Sequence, residues 1–220
     1  MHRQRTPKLG LSLSGGGFRA ALFHLGVLAQ MADQGLLRHV EVISTVSGGA
    51  IIGSLYYLHL KKLLEAKPDD QITDDDYRDI VRTLVDDFLA GVQKNLRMRT
   101  FANALKNWRM RRPDYSRSDR MGELYDKYFF RPAIGSRRKH PVRMRELKII
   151  PCGADPRFHP RRDNVGRKAK VPILLVNATS LNTGRNWRFE ATRMGEPPRT
   201  GRIADEVDKV TRQVSPPDYD

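Results

Sequence analysis

Two glycine-rich turns constrain this chain more than any other feature. The first, SGGGFRA at residues 14–20, follows the short alternating stretch KLGLSLS at 8–14. The second, STVSGGA at 44–50, follows a short apolar stretch at 40–43. After each turn, apolar residues recur at helical spacing, which predicts helices over 18–34 and 50–66. Strand–helix–strand–helix at this spacing is typical of an α/β sheet with mostly parallel strands.

The rest of the 220-residue chain is less regular. Residues 68–147 contain helical patterns at 74–90 and 118–130, the second starting from a Ser/Asp cap, and we interpret this region as a helical insert. Residues 148–220 hold the later strands and a polar tail. The stretches 147–152, 171–178 and 187–192 are predicted strands, the last pairing with 171–178. We expect one domain over 1–220, divided at about residues 67 and 147.

Charge is distributed unevenly along the sequence. The formal net charge is +15, and residues 94–148 alone carry 17 basic and 5 acidic residues. Such a segment suits a polyanion, above all the acidic headgroups of a membrane surface, although a solvated arginine-rich surface has the same composition. Nucleic acid is not expected as a partner, because no recognisable binding motif accompanies the charge.

Several functional classes find no support in the sequence. Cys152 is the only cysteine, so no internal disulfide can form, and we predict a small buried apolar role for it. No metal-ligand motif is present, and we assign neither metal nor cofactor. The longest apolar run, at 50–60, is too short to span a bilayer. We therefore expect a soluble, cytoplasmic protein, in peripheral contact with a membrane at most.

The two turns carry groups that acyl transfer requires. Gly15–Gly17 lack side chains, so their backbone N–H groups can approach a developing oxyanion at a helix N-terminus. Ser47, followed by Gly48 and Gly49, fits a nucleophile elbow, a sharp strand-to-helix turn that exposes the serine hydroxyl. Thr45 stands where that pattern usually has its first glycine. Both turns would lie at the carboxyl ends of neighbouring strands, where open α/β sheets bind their ligands.

A dinucleotide site is the rival interpretation of the first turn. Gly15, Gly17 and Ala20 also match the Gly-x-Gly-x-x-Gly/Ala fingerprint, and Glu41 lies about 20 residues on, where a ribose-binding acid belongs. This alternative leaves the second turn, with its serine and two glycines, without a function.

The motif pair SGGGFRA and STVSGGA, together with VNATSLNTGRNWRFEA at 176–191, resembles the patatin-like phospholipases. The resemblance implies a three-layer α/β/α fold and hydrolysis of acyl esters in phospholipids or other lipids by a Ser–Asp dyad, without a cofactor. It implies Ser47 as nucleophile and Gly15, Gly16 and Gly17 as oxyanion hole, with Arg19 beside them. Gly48 and Gly49 would support the elbow.

One departure from the family is serious. The dyad aspartate of these enzymes lies in Asp-Gly-Gly or Asp-Gly-Ala, and this sequence contains no Asp-Gly pair. The aspartates of the polar tail, Asp205, Asp208, Asp218 and Asp220, lack the motif. His24, in the first helix, is expected to be a packed side chain rather than a base. We therefore expect a truncated domain, with its sheet incomplete at the C-terminus, or a degenerate copy.

Three functional hypotheses follow. The leading one is a lipid acyl hydrolase whose basic segment at 94–148 contacts an anionic membrane. The second is a catalytically dead module that binds anionic lipid without turnover, which the missing aspartate favours. The dinucleotide-binding domain is the third.

Overall fold

A five-stranded mixed sheet forms the centre of the protein. The computed structural model describes residues 8–112, 114–135 and 140–196. The strands are β1 (Leu9–Leu13), β2 (Val40–Val46), β3 (Ile173–Thr179), β4 (Asn186–Phe189) and β5 (Met194–Gly195). They lie side by side in chain order; β1, β2 and β3 are parallel, and the last two pairings are antiparallel. The predicted α/β class with mostly parallel strands is confirmed.

Each central strand has one core-facing side. Leu11, Leu13 and Ile43 are buried, whereas Ser12 and Ser44, at alternate positions, are exposed and half-buried. Successive side chains of a strand point to opposite faces, so the buried set identifies the face that the long helices cover. A second helical layer on the other face stays a prediction.

Three long helices cover this core. They are α1 (Gly17–Asp33), α2 (Gly48–Ala66) and α3 (Asp74–Val92), and each packs against the other two. The helices predicted at 18–34, 50–66 and 74–90 are therefore confirmed to within two residues. Thr73 begins α3 with a capping box, in which its hydroxyl accepts from the Asp76 amide and the Asp76 carboxylate accepts from the Thr73 amide.

The third helix, α3, runs from the amino ends of the parallel strands to their carboxyl ends. At its start, Asp74 pairs with Arg38, two residues before the first residue of β2 (nitrogen to oxygen 3.0 Å). Near its end, the ring of Phe88 lies 5.9 Å from that of Phe18, the second residue of α1. Because α1 begins where β1 ends, the C-terminal end of α3 lies at the carboxyl edge of the parallel strands.

The basic segment is helical in short pieces. They are α4 (Leu96–Phe101), α5 (Ala104–Arg109), α6 (Arg117–Tyr125), a π-helical turn at Asp126–Phe130 and α7 (Arg131–Ile134), and α8 (Pro160–Asp163) follows later. Ser116, rather than Ser118, caps α6, because its hydroxyl accepts from the Asp119 amide. The helical prediction is confirmed, whereas the domain boundaries at residues 67 and 147 stay predictions.

Two predictions for residues 147–152 are wrong. This stretch is not a strand; a 3₁₀ turn over Met144–Leu147 leads into irregular chain, which is tied to α2 by the amide of Cys152 donating to the Leu64 carbonyl (2.8 Å). Cys152 itself is half-buried rather than buried.

The strands predicted at 171–178 and 187–192 are confirmed as β3 and β4. None of the described helices combines the length and apolar character needed to cross a bilayer.

The α2–α3 interface predicts a pH dependence of stability. Burial lowers the pKa of His59, while the Asp87 carboxylate, 3.0 Å from its Nε2, opposes that shift. The native state therefore binds a proton at His59 less readily than the unfolded chain does. As the pH falls below about 6.5, wild type should lose free energy of unfolding relative to His59→Gln. Chemical denaturation between pH 8 and pH 5 measures this difference. The control His39→Gln, at an exposed position, keeps His59 and should lose free energy of unfolding as wild type does. A loss in His59→Gln as large as that of wild type would contradict the assignment.

Candidate active site

Ser47 joins β2 to α2 in a strained conformation. Its φ is 52° and its ψ −120°, and among the described residues only Asn95 shares a positive φ without being glycine. A non-glycine residue held there costs on the order of 1–3 kcal/mol and persists only where the surroundings enforce it. The side chain is exposed, and it makes no capping bond to its own helix. This is the sharp turn expected of a nucleophile elbow.

Gly48 and Gly49 let the elbow lie directly against the first glycine turn. A Cβ on Gly48 would stand 2.1 Å from the Gly17 carbonyl oxygen, and one on Gly49 would stand 2.3 Å from the carbonyl oxygen of Leu13. Both obstructing atoms belong to the backbone, so they cannot swing aside. Glycine is therefore required at both positions for the two turns to meet.

The glycine loop at Gly15–Gly17 lies beside the serine. A Cβ on Gly15 would lie 3.7 Å from Ser47 Oγ. Gly16 and Gly17 have φ values of 137° and 65°, which side-chain-bearing residues rarely adopt. The first N–H groups of any helix have no intrahelical partner, and at α1 no side-chain cap accepts from them either, since the N-cap residue is Gly16. Arg19 is exposed in the first turn of this helix. The structure thus brings the loop and Ser47 together.

The sequence comparison with the usual elbow pattern missed two supporting residues, Gly53 and Asn177. Thr45 is buried, and its hydroxyl donates to the Leu175 carbonyl of β3 (3.0 Å). Its methyl group would lie 2.4 Å from a Cβ on Gly53 of α2, so a glycine on the helix makes room for the side chain that replaces glycine on the strand. Asn177 of β3 donates from its amide to the Thr45 carbonyl and the Ser44 hydroxyl, both at 3.0 Å.

His24 supports the glycine loop. It is buried, and its Nε2 lies 3.0 Å from the Ser14 carbonyl oxygen. Because a carbonyl only accepts, Nε2 carries the proton and donates it in this bond. The prediction of a packed, hydrogen-bonded histidine is confirmed, and the bond fixes the residue from which the glycine loop starts.

Ser47 Oγ has no hydrogen-bonded base among the described residues. Within them, its Oγ has no hydrogen bond to an imidazole or carboxylate, and no group of three or more His, Cys, Asp or Glu could hold a metal ion. Asp205, Asp208, Asp218 and Asp220 lie outside the described residues. The position of the dyad aspartate therefore stays open.

The dinucleotide alternative fails on the position of its acid. A ribose-binding carboxylate has to reach the ligand outside the carboxyl end of the strands. Glu41 is instead the second residue of β2, at its amino end, and pairs there with Lys8 (3.1 Å). The glycine loop lies at the opposite edge of the sheet.

Comparison with known proteins decides the family. The patatin-like phospholipase profile matches residues 11–204, most of the chain. This chain belongs to the patatin-like phospholipases. A Saccharomyces cerevisiae protein named "Putative meiotic phospholipase SPO1" is 44% identical over 46 residues, which are 21% of this chain and 7% of that protein.

A solved structure of human GIVD cytosolic phospholipase A2, in complex with a methyl gamma-linolenyl fluorophosphonate inhibitor and terbium chloride, is also similar. It is 18% identical with a TM-score of 0.45, and the match covers 86% of this chain and 24% of the human one. The chain thus spans a small part of the length of both relatives.

The elbow geometry predicts a specific clash. Gly48→Ala should lower the free energy of unfolding by about 1–3 kcal/mol, because the new methyl group meets backbone that cannot move aside. Gly10→Ala, in β1, is the matched control, since a Cβ there meets nothing within 4 Å. Urea unfolding followed by circular dichroism compares them, and equal effects would contradict the close approach.

A double-mutant cycle tests the fit of Thr45 against Gly53. Gly53→Ala should destabilise wild type by about 1–3 kcal/mol. Thr45→Ser removes the obstructing methyl group and keeps the hydroxyl, so Gly53→Ala should cost clearly less in that background. An unchanged cost would show that the methyl contact does not limit the approach of α2.

Proposed function

We propose that this chain carries the nucleophile and the oxyanion hole of a lipid acyl hydrolase. Ser47 Oγ attacks the ester carbonyl carbon and passes its proton to a base, which then protonates the departing alcohol. Water hydrolyses the resulting acyl-enzyme and releases the fatty acid. The observation that carries the proposal is the strained, exposed Ser47 lying beside a glycine loop, in a chain of the patatin-like family.

The amides of Gly15, Gly16 and Gly17 would stabilise the oxyanion of the tetrahedral intermediate. Three features support this role: the absence of side chains, the positive φ values of two of the glycines, and the uncapped start of α1. One such donor is typically worth about 3–4 kcal/mol of barrier. Arg19, in the first turn of α1, would add positive charge beside the loop, and Gly48 and Gly49 would keep the elbow closed against it.

The base is the open part of the proposal. Family resemblance assigns it to an aspartate followed by glycine, a pair that this sequence does not contain. A serine without a base reacts slowly, yet an intact oxyanion hole retains part of the rate enhancement. We therefore expect Ser47 of this chain to react slowly with activated electrophiles.

The substrate would be a phospholipid or another acyl-ester lipid, with no cofactor. The names of both relatives contain the word phospholipase. The basic segment at 94–148 would contact an anionic membrane surface, as a peripheral protein of the cytoplasm would. We also retain the division into an elbow region at 1–67, an insert at 68–147 and later strands at 148–220.

A second candidate is an anionic-lipid-binding module without turnover. The missing Asp-Gly pair and the basic segment favour it. It differs from the first candidate in one respect that can be measured, which is whether Ser47 is reactive.

Labelling with an alkyl fluorophosphonate tests the proposal. Wild type should be labelled slowly, and Ser47→Ala should not be labelled, because the probe captures the attacking oxygen. Ser12→Ala, at an exposed position of β1, is the matched control and should label as wild type does. Circular dichroism establishes that all three proteins are folded.

Two outcomes would contradict parts of the proposal. A folded wild type that is never labelled would favour the lipid-binding module. Rapid labelling, with turnover of a p-nitrophenyl ester that Ser47→Ala abolishes, would show that a base is present and that its assignment to an Asp-Gly pair is wrong.

A further inference from the structure

Four large apolar side chains stand exposed on α4 and α5. Met98, Phe101, Leu105 and Trp108 are 72%, 55%, 81% and 65% exposed, respectively. Met98 and Phe101 lie three residues apart on α4, and Leu105 and Trp108 lie three residues apart on α5, so each short helix presents one pair on one face. We term these four side chains the exposed stripe. Leu96 and Thr100 on the same segment are buried, so α4 is anchored to the protein by a different set of side chains. An apolar cluster of this kind on a surface marks an interaction site.

The chain enters α4 from the edge of the sheet that carries Ser47. The end of α3 reaches that edge through Phe88, which contacts Phe18 beside the glycine loop. The first residue of α4 follows four residues after the end of α3. The ring of Phe129, in the π-helical turn between α6 and α7, stacks on that of Phe88. This turn therefore lies beside the end of α3 as well.

Other exposed apolar side chains lie at the same edge. Val46 immediately precedes the serine, and Leu89 lies in the last turn of α3. Leu181 is 97% exposed in the hairpin that leaves the carboxyl end of β3. At the opposite edge stands Val165, 88% exposed, on the loop that shares a cavity with Lys8 and Glu41.

Arginines accompany the aromatic rings of the stripe. The guanidinium of Arg117 lies 5.4 Å from the ring centre of Phe101, and that of Arg112 lies 5.9 Å from the ring centre of Trp108. From Lys94 to Arg112 the sequence contains seven basic residues and no acidic one. Apolar side chains that project from a positively charged surface suit the boundary between acyl chains and anionic headgroups.

We propose that α4 and α5 form an anchor that inserts Leu105 and Trp108 into an anionic lipid bilayer and turns the Ser47 edge towards it. The inference rests on the proposed lipid hydrolase function and names the surface that delivers the substrate. A charged polymer such as nucleic acid would use the arginines but has no use for exposed Met98 and Leu105. A bilayer uses both, since the aliphatic groups enter the acyl region while the arginines remain among the phosphates.

Vesicle binding tests the anchor without requiring catalysis. All proteins carry Ser47→Ala, so that the lipids stay intact, and are sedimented with vesicles of phosphatidylglycerol and phosphatidylcholine. The double variant Leu105→Ala/Trp108→Ala should bind at least about tenfold more weakly, because two inserted side chains are lost. Val165→Ala, a truncation of matched exposure at the opposite edge, should bind as the parent does. Trp108→Phe, which keeps an apolar ring, should retain most of the binding.

Fluorescence of Trp108 supplies a second measurement, independent of affinity. In a Trp187→Phe background it is the only tryptophan of the chain. Addition of anionic vesicles should shift its emission to the blue, and lipids brominated on their acyl chains should quench it. Vesicles of phosphatidylcholine alone should cause a much smaller shift, because the arginines then have no anionic partner.

Each result bears on the anchor separately from catalysis. Binding to anionic vesicles that ignores Leu105 and Trp108, or that disappears in 0.5 M salt without quenching of Trp108, would overturn insertion in favour of charge attraction alone. Absence of vesicle binding by the folded protein would also overturn it and would point to a covering protein segment. Equal competition by single-stranded DNA would favour a polyanion site. Labelling of Ser47 by a soluble fluorophosphonate needs no vesicle, so either proposal can fail alone.

Discussion

The contact between the two glycine turns is the constraint on which the rest of the site depends. Gly48 and Gly49 lie against the backbone carbonyls of Gly17 and Leu13 at distances that exclude a side chain. This contact joins the end of β1 to the start of α2 and holds Ser47 in its positive-φ conformation. The free energy stored in that turn is offset by the burial of α2, whose residues on several sides lie in the core.

The elbow is also supported from the neighbouring strand. Thr45 and Asn177 tie the end of β2 to β3 through hydrogen bonds that side chains make to backbone carbonyls. Gly53 then gives α2 the space to pass over the Thr45 methyl group. Thr45 can therefore stand where the usual elbow pattern has a glycine. The glycine that avoids the close contact is Gly53 on α2 instead of a residue on the strand.

A cluster of aromatic rings links the site to the basic segment. Phe18 follows the glycine loop, and its ring lies within 6.3 Å of the rings of both Phe88 and Phe129. Gly91 allows this packing, since a Cβ there would stand 2.3 Å from the Phe129 ring. The same cluster therefore positions the start of α1 and the turns that precede the exposed stripe. A surface that binds lipid would in this way have a fixed place relative to Ser47.

The local elements could be predicted from the sequence, as could the glycines and the serine that the two turns bring to the site. Glycine runs, a serine and helical periodicity are local signals, so α1, α2, α3 and the pairing of β3 with β4 followed from them. The pattern at 147–152 led to a wrong strand prediction. This stretch packs against α2, and the Cys152 amide donates to the carbonyl of Leu64 in α2 instead of to a neighbouring strand. Three facts came from the tertiary structure: Glu41 lies at the wrong edge for a dinucleotide, Gly53 accommodates Thr45, and exposed apolar side chains lie at the same edge of the sheet as Ser47. Those facts depend on which strand ends meet and which helix crosses them, and such distances arise between residues far apart in the chain.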